Sequence, residues 1–252
     1  MQRLEGLMRK AAQQYHMIEA GDRICVGVSG GKDSVALTIA LSNLRRYYEK
    51  PFTLQAITLD PGFGGKEMDY SVLQALFEKH QIPYTIKRTQ IGAIVFDVRK
   101  EQNPCSLCAK MRRGALHDLT KELGCNKLAL GHHLDDAIET FYMNLWQNGR
   151  IGCFEPVSYL SRKDLTMIRP LILATEQDVT HAIKSANLPI VKSICPADGV
   201  TTRQDTKEFV HQMVRQDHAF RGKMLNAFQT GGISGWCPLE TGNRPPIKNK
   251  QD

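Results

Sequence analysis

The sequence predicts an α/β fold: a mostly parallel, Rossmann-like sheet with small helical and irregular elements at its flanks. Two observations carry that prediction. Short β-branched apolar runs alternate with helical stretches through the first half of the chain, the pattern of strands joined by crossover helices. Three of those runs also end in loops of unusual composition, at 29–34, 60–65 and 131–136, and open parallel sheets bind ligands beyond such carboxyl ends. The chain has 252 residues, 42% of them hydrophobic and 23% charged, which is ordinary for a globular protein. No apolar run reaches the roughly 18 residues of a membrane span.

The first residues, MQRLEGLMRKAAQQYHMI, read as a short amphipathic helix. Arg3, Arg9 and Lys10 interrupt any secretory core, so a cytoplasmic protein is expected. A strand follows at 24–28, then a glycine turn and a helix over 35–48. Residues 53–59 form the next strand and 68–80 the next helix, with Leu73, Leu76 and Phe77 at helical spacing. A strand at 83–87, a helix at 109–123, a strand at 127–130 and a helix at 135–147 continue the alternation. The second half is less regular. A loop or hairpin is expected at 155–164, a strand at 165–173 carrying Arg169-Pro170-Leu171, and a helix at 176–186 with Thr175 as its N-cap. Cys195 lies in a loop, and one or two basic helices span 205–229. From Gly231 onward the Gly, Pro and polar content predicts a poorly ordered tail. The organisation is therefore an N-terminal helix (1–20), a main domain (21–200), and basic helices with a loose tail (201–252). A formal net charge of +7 favours a polyanionic partner.

The loop after the first strand reads Val28-Ser29-Gly30-Gly31-Lys32-Asp33-Ser34. A Walker A loop needs Ser or Thr after Gly-Lys, and Asp33 stands there instead. The physics of a phosphate site is nevertheless present. Gly30 and Gly31 allow a tight turn, the following helix offers its N-terminus, and Ser29 and Ser34 add hydroxyls. The pattern S-G-G-x-D-S after a hydrophobic strand resembles the PP-loop of the N-type ATP pyrophosphatases, an adenine nucleotide alpha hydrolase-like superfamily. That superfamily cleaves ATP between its α- and β-phosphates and adenylates a substrate oxygen. The resemblance implies ATP with Mg2+ held by Ser29, Gly30, Gly31, Lys32, Asp33 and Ser34, with Lys32 and Asp33 in catalytic roles.

Seven cysteines are many for a reducing compartment, so close spacing reads first as metal or redox chemistry. Cys105 and Cys108 are one helical turn apart, just before a helix whose terminus would lower their pKa values. Cys195 could add a third ligand from a separate loop. Three thiolates suit a 4Fe–4S cluster with one open iron; zinc with a fourth ligand from His is the alternative. Cys25, Cys125 and Cys153 read as core thiols. The stretches CSLCAKMRRG and KLALGHHLDDAIET, with the later Arg-Pro-Leu and Cys195, resemble the tRNA 2-thiocytidine biosynthesis family over about residues 1–200. This implies a 4Fe–4S cluster on Cys105, Cys108 and Cys195, and sulfur replacing an adenylated tRNA carbonyl oxygen, most simply that of cytidine. The chain departs from the family in having a single cysteine in SICPADG, and it lacks the terminal zinc-finger pairs of the uridine-thiolating branch.

Further candidates follow the strand ends. Gly131, His132, Asp135 and Asp136 could organise nucleotide or magnesium, although the two acids also suit a helix N-terminus. His133 could contact nucleotide or RNA. Asp60 could meet ribose or adenine, or serve its own turn. Lys110, Arg112 and Arg113 would grip RNA phosphate beside the cysteines, and Arg169 would meet phosphate or pair with Glu176. Arg203, Lys207, Arg215, Arg221 and Lys223 form a second basic set. The partners implied are tRNA and a sulfur donor such as a cysteine desulfurase or sulfide, with no membrane and with room for a homodimer. Two competing functions are a lysidine-synthetase-like tRNA ligase with structural zinc on the same cysteines, and a non-catalytic nucleotide-binding iron–sulfur sensor.

Overall fold

The computed structural model describes residues 1–99, 104–192, 194–195 and 202–239. The core begins with α1 (Gln2–Gln14), whose buried residues Leu4, Met8, Ala11 and Ala12 recur at one-face helical spacing. β1 (Arg23–Gly27) then enters the sheet with Ile24, Cys25 and Val26 all fully buried, as expected of a strand covered on both faces. It leads through the glycine turn into α2 (Lys32–Leu44), which is buried on nearly every side because it lies against the sheet and between neighbouring helices. β2 (Thr53–Asp60), α3 (Ser71–Lys79) and β3 (Tyr84–Arg88) complete one half of the sheet.

A short helical turn, α4 (Ile91–Ala93), passes into a π-helical turn at Ile94–Val98 that sequence periodicity does not announce. α5 (Pro104–Glu122) starts earlier than the sequence suggests: Pro104 occupies its first turn, where the missing N–H costs nothing. Cys105 and Cys108 are therefore inside the helix rather than before it. β4 (Lys127–Ala129) and α6 (Leu134–Asn148) follow. Lys127 is buried and pairs with Asp22 at 2.6 Å, which fastens the start of β4 beside the start of β1.

The strand order is β3-β2-β1-β4-β6-β5, and every neighbouring pair is parallel except the last. β5 (Val157–Leu160) and β6 (Leu165–Ile168) form an antiparallel hairpin. β6 is shorter than predicted, since the chain turns at Arg169-Pro170 and Pro has no N–H to extend a ladder. It then reaches α7 (Glu176–Ser185), whose N-cap Thr175 forms a reciprocal capping box with Asp178. The chain runs outward from β1 to β3 and returns to β4 on β1's other side. The reversal point lies between β1 and β4, where such sheets open a crevice.

α8 (Thr202–Gln216) and α9 (Phe220–Thr230) pack on α6, and Val210, Phe220 and Phe228 join the same core as α1 and α2. The expectation of a loose tail from Gly231 fails through residue 239. Trp236 is fully buried, its indole N–H donates to the Phe154 carbonyl at 3.0 Å, and its carbonyl accepts from the Tyr15 hydroxyl at 3.2 Å. One large aromatic side chain outweighs the Gly-rich local composition. Residues 240–252 lie outside the described residues.

Candidate active site

The glycine turn after β1 is a self-bonded cradle. The Ser34 hydroxyl donates to the Gly31 carbonyl at 2.9 Å and accepts the Ser29 N–H at 3.1 Å. The Ser29 hydroxyl accepts the Gly31 N–H at 3.3 Å. Lys32, Asp33 and Ser34 open α2, so their N–H groups have no intrahelical acceptor and present the helix's positive end. Gly30 holds φ at +89°, and a Cβ there would sit 3.1 Å from the Cβ of Val191. The Val191 N–H donates to the Gly30 carbonyl at 2.9 Å. The segment leading to Cys195 is thus bonded directly to the loop.

Lys32 is held between two carboxylates, with its Nζ 3.0 Å from Asp33 and 3.1 Å from Glu176. Burial by itself would lower its pKa, but these two partners outweigh burial and raise it, so the side chain is a fixed cation. Glu176 also meets Lys207 at 2.8 Å and His211 at 3.5 Å. Burial opposes its ionised form; the hydrogen bonds from Lys207 and Lys32 more than offset that and bring its pKa to about 2. Sequence reasoning named Glu176 only as a helix start and as a partner for Arg169. Nothing in its local context tells it from an ordinary first-turn acid.

The loop after β4 closes on this cradle. A Cβ on Gly131 would stand 3.0 Å from the Asp33 carbonyl carbon and 3.1 Å from the Ser34 nitrogen, so only glycine lets the two loops touch. His133 is buried and caps α6: its Nδ1 accepts the Asp136 N–H at 3.3 Å, and its own N–H donates to the Asp136 carboxylate at 2.9 Å. With Nδ1 an acceptor, the ring proton resides on Nε2, which faces Asp33 at 3.7 Å. His132 lies against the Phe154 ring at 4.9 Å. Asp135 is fully buried, accepting from Arg221 at 2.6 Å and from the Glu176 N–H at 2.7 Å. Both carboxylates therefore have partners, and Asp135 joins α6, α7 and α9 behind the cradle instead of facing solvent.

Asp60 is also buried, and its carboxylate accepts the N–H groups of Gly62 and Met68 at 3.1 and 3.0 Å. It shapes its own turn. The cysteines lie beyond that turn. Cys108 packs with Phe63, Ile91 and Val95, and Cys195 packs against the same cluster. Burial raises the Cys108 thiol's pKa against the opposing pull of Arg112, the reverse of the lowering expected from a helix terminus. Cys105 is exposed on the first turn of α5. Among the described residues, no three His, Cys, Asp or Glu side chains are gathered closely enough to hold a metal. Lys110 and Arg113 are exposed on α5 and Arg112 is half-buried beside Cys108.

Arg169 departs from both expected roles. It is buried, donates to the Glu155 carbonyl and to the Ser158 hydroxyl, and lies over the Phe154 ring at 4.9 Å. Burial lowers its pKa to about 10. Glu176 pairs with Lys32, Lys207 and His211 instead. Cys25 and Cys125 are buried in the small core beneath α5, and burial lifts the half-buried Cys153 thiol to about 12.

Residues 4–210 match the model of the PP-loop domain family. The tRNA-cytidine(32) 2-sulfurtransferase of Syntrophotalea carbinolica is 35% identical over 89% of this chain and 87% of its own length. That of Pelobacter propionicus is 36% identical over 89% and 84%. The chain belongs to the PP-loop family of tRNA 2-sulfurtransferases. Among solved structures, the U34-tRNA thiolase NcsA from Methanococcus maripaludis, with its [4Fe-4S] cluster, shares this PP-loop fold. Its TM-score is 0.74 at 22% identity, over 90% of this chain and 76% of that one. The family assignment and the α/β fold agree with the sequence reading. No helix among the described residues is long and apolar enough to cross a membrane.

Proposed function

We propose that the chain is an ATP-dependent tRNA sulfurtransferase that replaces the carbonyl oxygen of a tRNA cytidine with sulfur. One observation carries the reading most: the Gly30–Val191 hydrogen bond ties the nucleotide loop to the segment bearing Cys195, which packs beside Cys108. Cys195 stands four positions after Val191, a span of at most about 14 Å. Nucleotide activation and thiol chemistry thereby share one sheet edge.

ATP phosphates would lie in the cradle of residues 29–34, against the free N–H groups of α2 and the ammonium of Lys32. The cytosine C2 oxygen attacks the α-phosphorus, the bond to the bridging oxygen breaks, and pyrophosphate leaves. Lys32 and the helix N-terminus stabilise the charge that builds on the phosphoryl oxygens. Mg2+, which the family implies, would share that task. The C2–O bond then carries a good leaving group. Sulfur at the sulfide level, supplied by a separate donor, adds to C2, and AMP departs with the original oxygen. Glu176 keeps Lys32 in register, and His133 presents its Nε2–H toward Asp33, fixing that carboxylate in the loop.

Cys108 and Cys195 share one apolar pocket and Cys105 lies one helical turn from Cys108; they have the donor chemistry of an iron–sulfur cluster, whose separate irons let its thiolates stand farther apart than the ligands of a single metal ion. Cys105, Cys108 and Cys195 would hold a 4Fe–4S cluster, which when bound supplies an open iron able to carry sulfur. Mass spectrometry of tRNA nucleosides from a strain lacking the gene is the test, with loss of 2-thiocytidine expected. Iron and acid-labile sulfide are expected in anaerobically purified protein, and Cys195→Ser should lose both while retaining ATP binding. Undiminished thionucleosides in the deletion strain would overturn the reading, and stoichiometric zinc without sulfide would overturn the cluster.

A further inference from the structure

The basic residues that the sequence groups in the C-terminal helices are divided by the structure. Lys207 pairs with Glu176 at 2.8 Å, Arg221 with Asp135 at 2.6 Å and Lys223 with Asp217 at 2.7 Å. The Arg203 side chain lies outside the described residues. Arg215 makes no ion pair among the described residues, and neither does Lys184 on α7. Both are exposed, and both line one groove of about 500 Å3 between α7 and α8, together with His181 and His211. His181 and Lys184 are three residues apart, and His211 and Arg215 four apart. Each helix therefore presents one imidazole and one permanent cation on the same face.

Permanent charge in the groove favours an anion. Lys184, Arg215 and Arg221 line it against Glu176 as the one carboxylate. Glu176 is already countered by Lys32 and Lys207, and Arg221 is neutralised by Asp135. Lys184 and Arg215 remain as uncompensated charges at the rim. The inner end of the groove is Glu176, which touches the PP-loop lysine, so the groove leads outward from the nucleotide cradle. Past Arg215, a neighbouring hollow adds Asp205 and Glu208, and the basic surface stops there.

We propose that this groove docks the phosphodiester backbone of the tRNA substrate, with Lys184 and Arg215 contacting phosphates and His181 donating a hydrogen bond. The assignment rests on the proposed sulfurtransferase function and adds to it where the RNA backbone runs. A nucleotide triphosphate tail fits less well, because the Glu176 carboxylate stands between the groove and Lys32 and would repel it. A backbone crossing the rim meets the two exposed cations and gains from releasing their counterions.

The test measures binding of an unmodified tRNA transcript carrying cytidine 32 to the full-length chain over a series of salt concentrations. The wild type is compared with the Lys184→Ala/Arg215→Ala double variant. Loss of two phosphate contacts should make the log–log salt slope shallower by about 1.5 to 2 and weaken binding about tenfold near 0.15 M salt. The ATP dissociation constant should not change, and neither should the unfolding midpoint, since both side chains are exposed. Wild-type protein that binds tRNA while the double variant matches it in affinity and slope overturns the groove assignment and leaves the sulfurtransferase reading intact. A raised ATP dissociation constant with unaltered tRNA binding overturns it in favour of nucleotide phosphates. Wild-type protein with no tRNA affinity overturns both readings together.

Discussion

Glu176→Gln tests the link between the PP-loop and the C-terminal helices. The substitution keeps the shape of the side chain and removes the charge shared by Lys32 and Lys207. The folded carboxyl titrates at about 2 instead of an ordinary 4.5. That lowering is worth roughly 3.4 kcal/mol at most, and partial solvent screening reduces it to about 2 kcal/mol. The sign follows from linkage: a depressed carboxyl pKa adds stability above the unfolded value, and that stability is lost as pH falls from about 4.5 toward 2. At pH 7 the variant should be about 2 kcal/mol less stable by urea denaturation. By pH 3 more than half of that difference should be gone, because the wild-type contribution is being titrated away. Equal stability of the two chains at pH 7 would refute the reasoning, and so would a gap that stays constant down to pH 3.

Three other outcomes check separate parts of the structure. Gly131→Ala puts a methyl group against the backbone of Asp33 and Ser34, atoms that move only with the PP-loop itself. Overpacking of about 1–3 kcal/mol should appear chiefly as weaker ATP binding, roughly 5- to 150-fold by equilibrium dialysis. Trp236→Ala empties a fully buried site at the end of the described chain, and a loss of about 3–5 kcal/mol is expected in calorimetric or denaturant unfolding. Arg169→Lys exchanges a buried guanidinium that bonds Glu155 and Ser158 for an ammonium that cannot lie flat on Phe154; lower stability with unchanged tRNA affinity is expected from unfolding and filter-binding measurements.

Much of the molecule was legible from local pattern. β-branched runs and one-face helical spacing located the strands and most of the helices, since those periodicities follow from backbone geometry and need no knowledge of partners. The S-G-G-x-D-S turn was legible because glycine, hydroxyl and helix start lie consecutively, and a phosphate cradle is built from consecutive backbone N–H groups. The CxxC pair and the distant Cys195 were visible as residue types at suggestive spacing. The placement of Cys108 and Cys195 around Phe63 and Val95 was not visible, because it depends on the turn after β2 and on the π-helical segment.

Tertiary structure alone decided which polar residues belong to the site. Asp135 and Asp136 look equivalent in sequence, yet one is buried against Arg221 from α9 and the other is engaged in a capping box. Glu176 looks like any acid at a helix start, but the fold sets it on Lys32, 144 positions earlier in the chain. Arg169 looks like a surface cation and is packed over Phe154. A charge's role depends on its partner and its access to water, and both are set by contacts between distant segments. The sequence by itself determined the fold class, the PP-loop motif and the family. Which charges remain free to meet a substrate was decided only when the sheet and its helices came together.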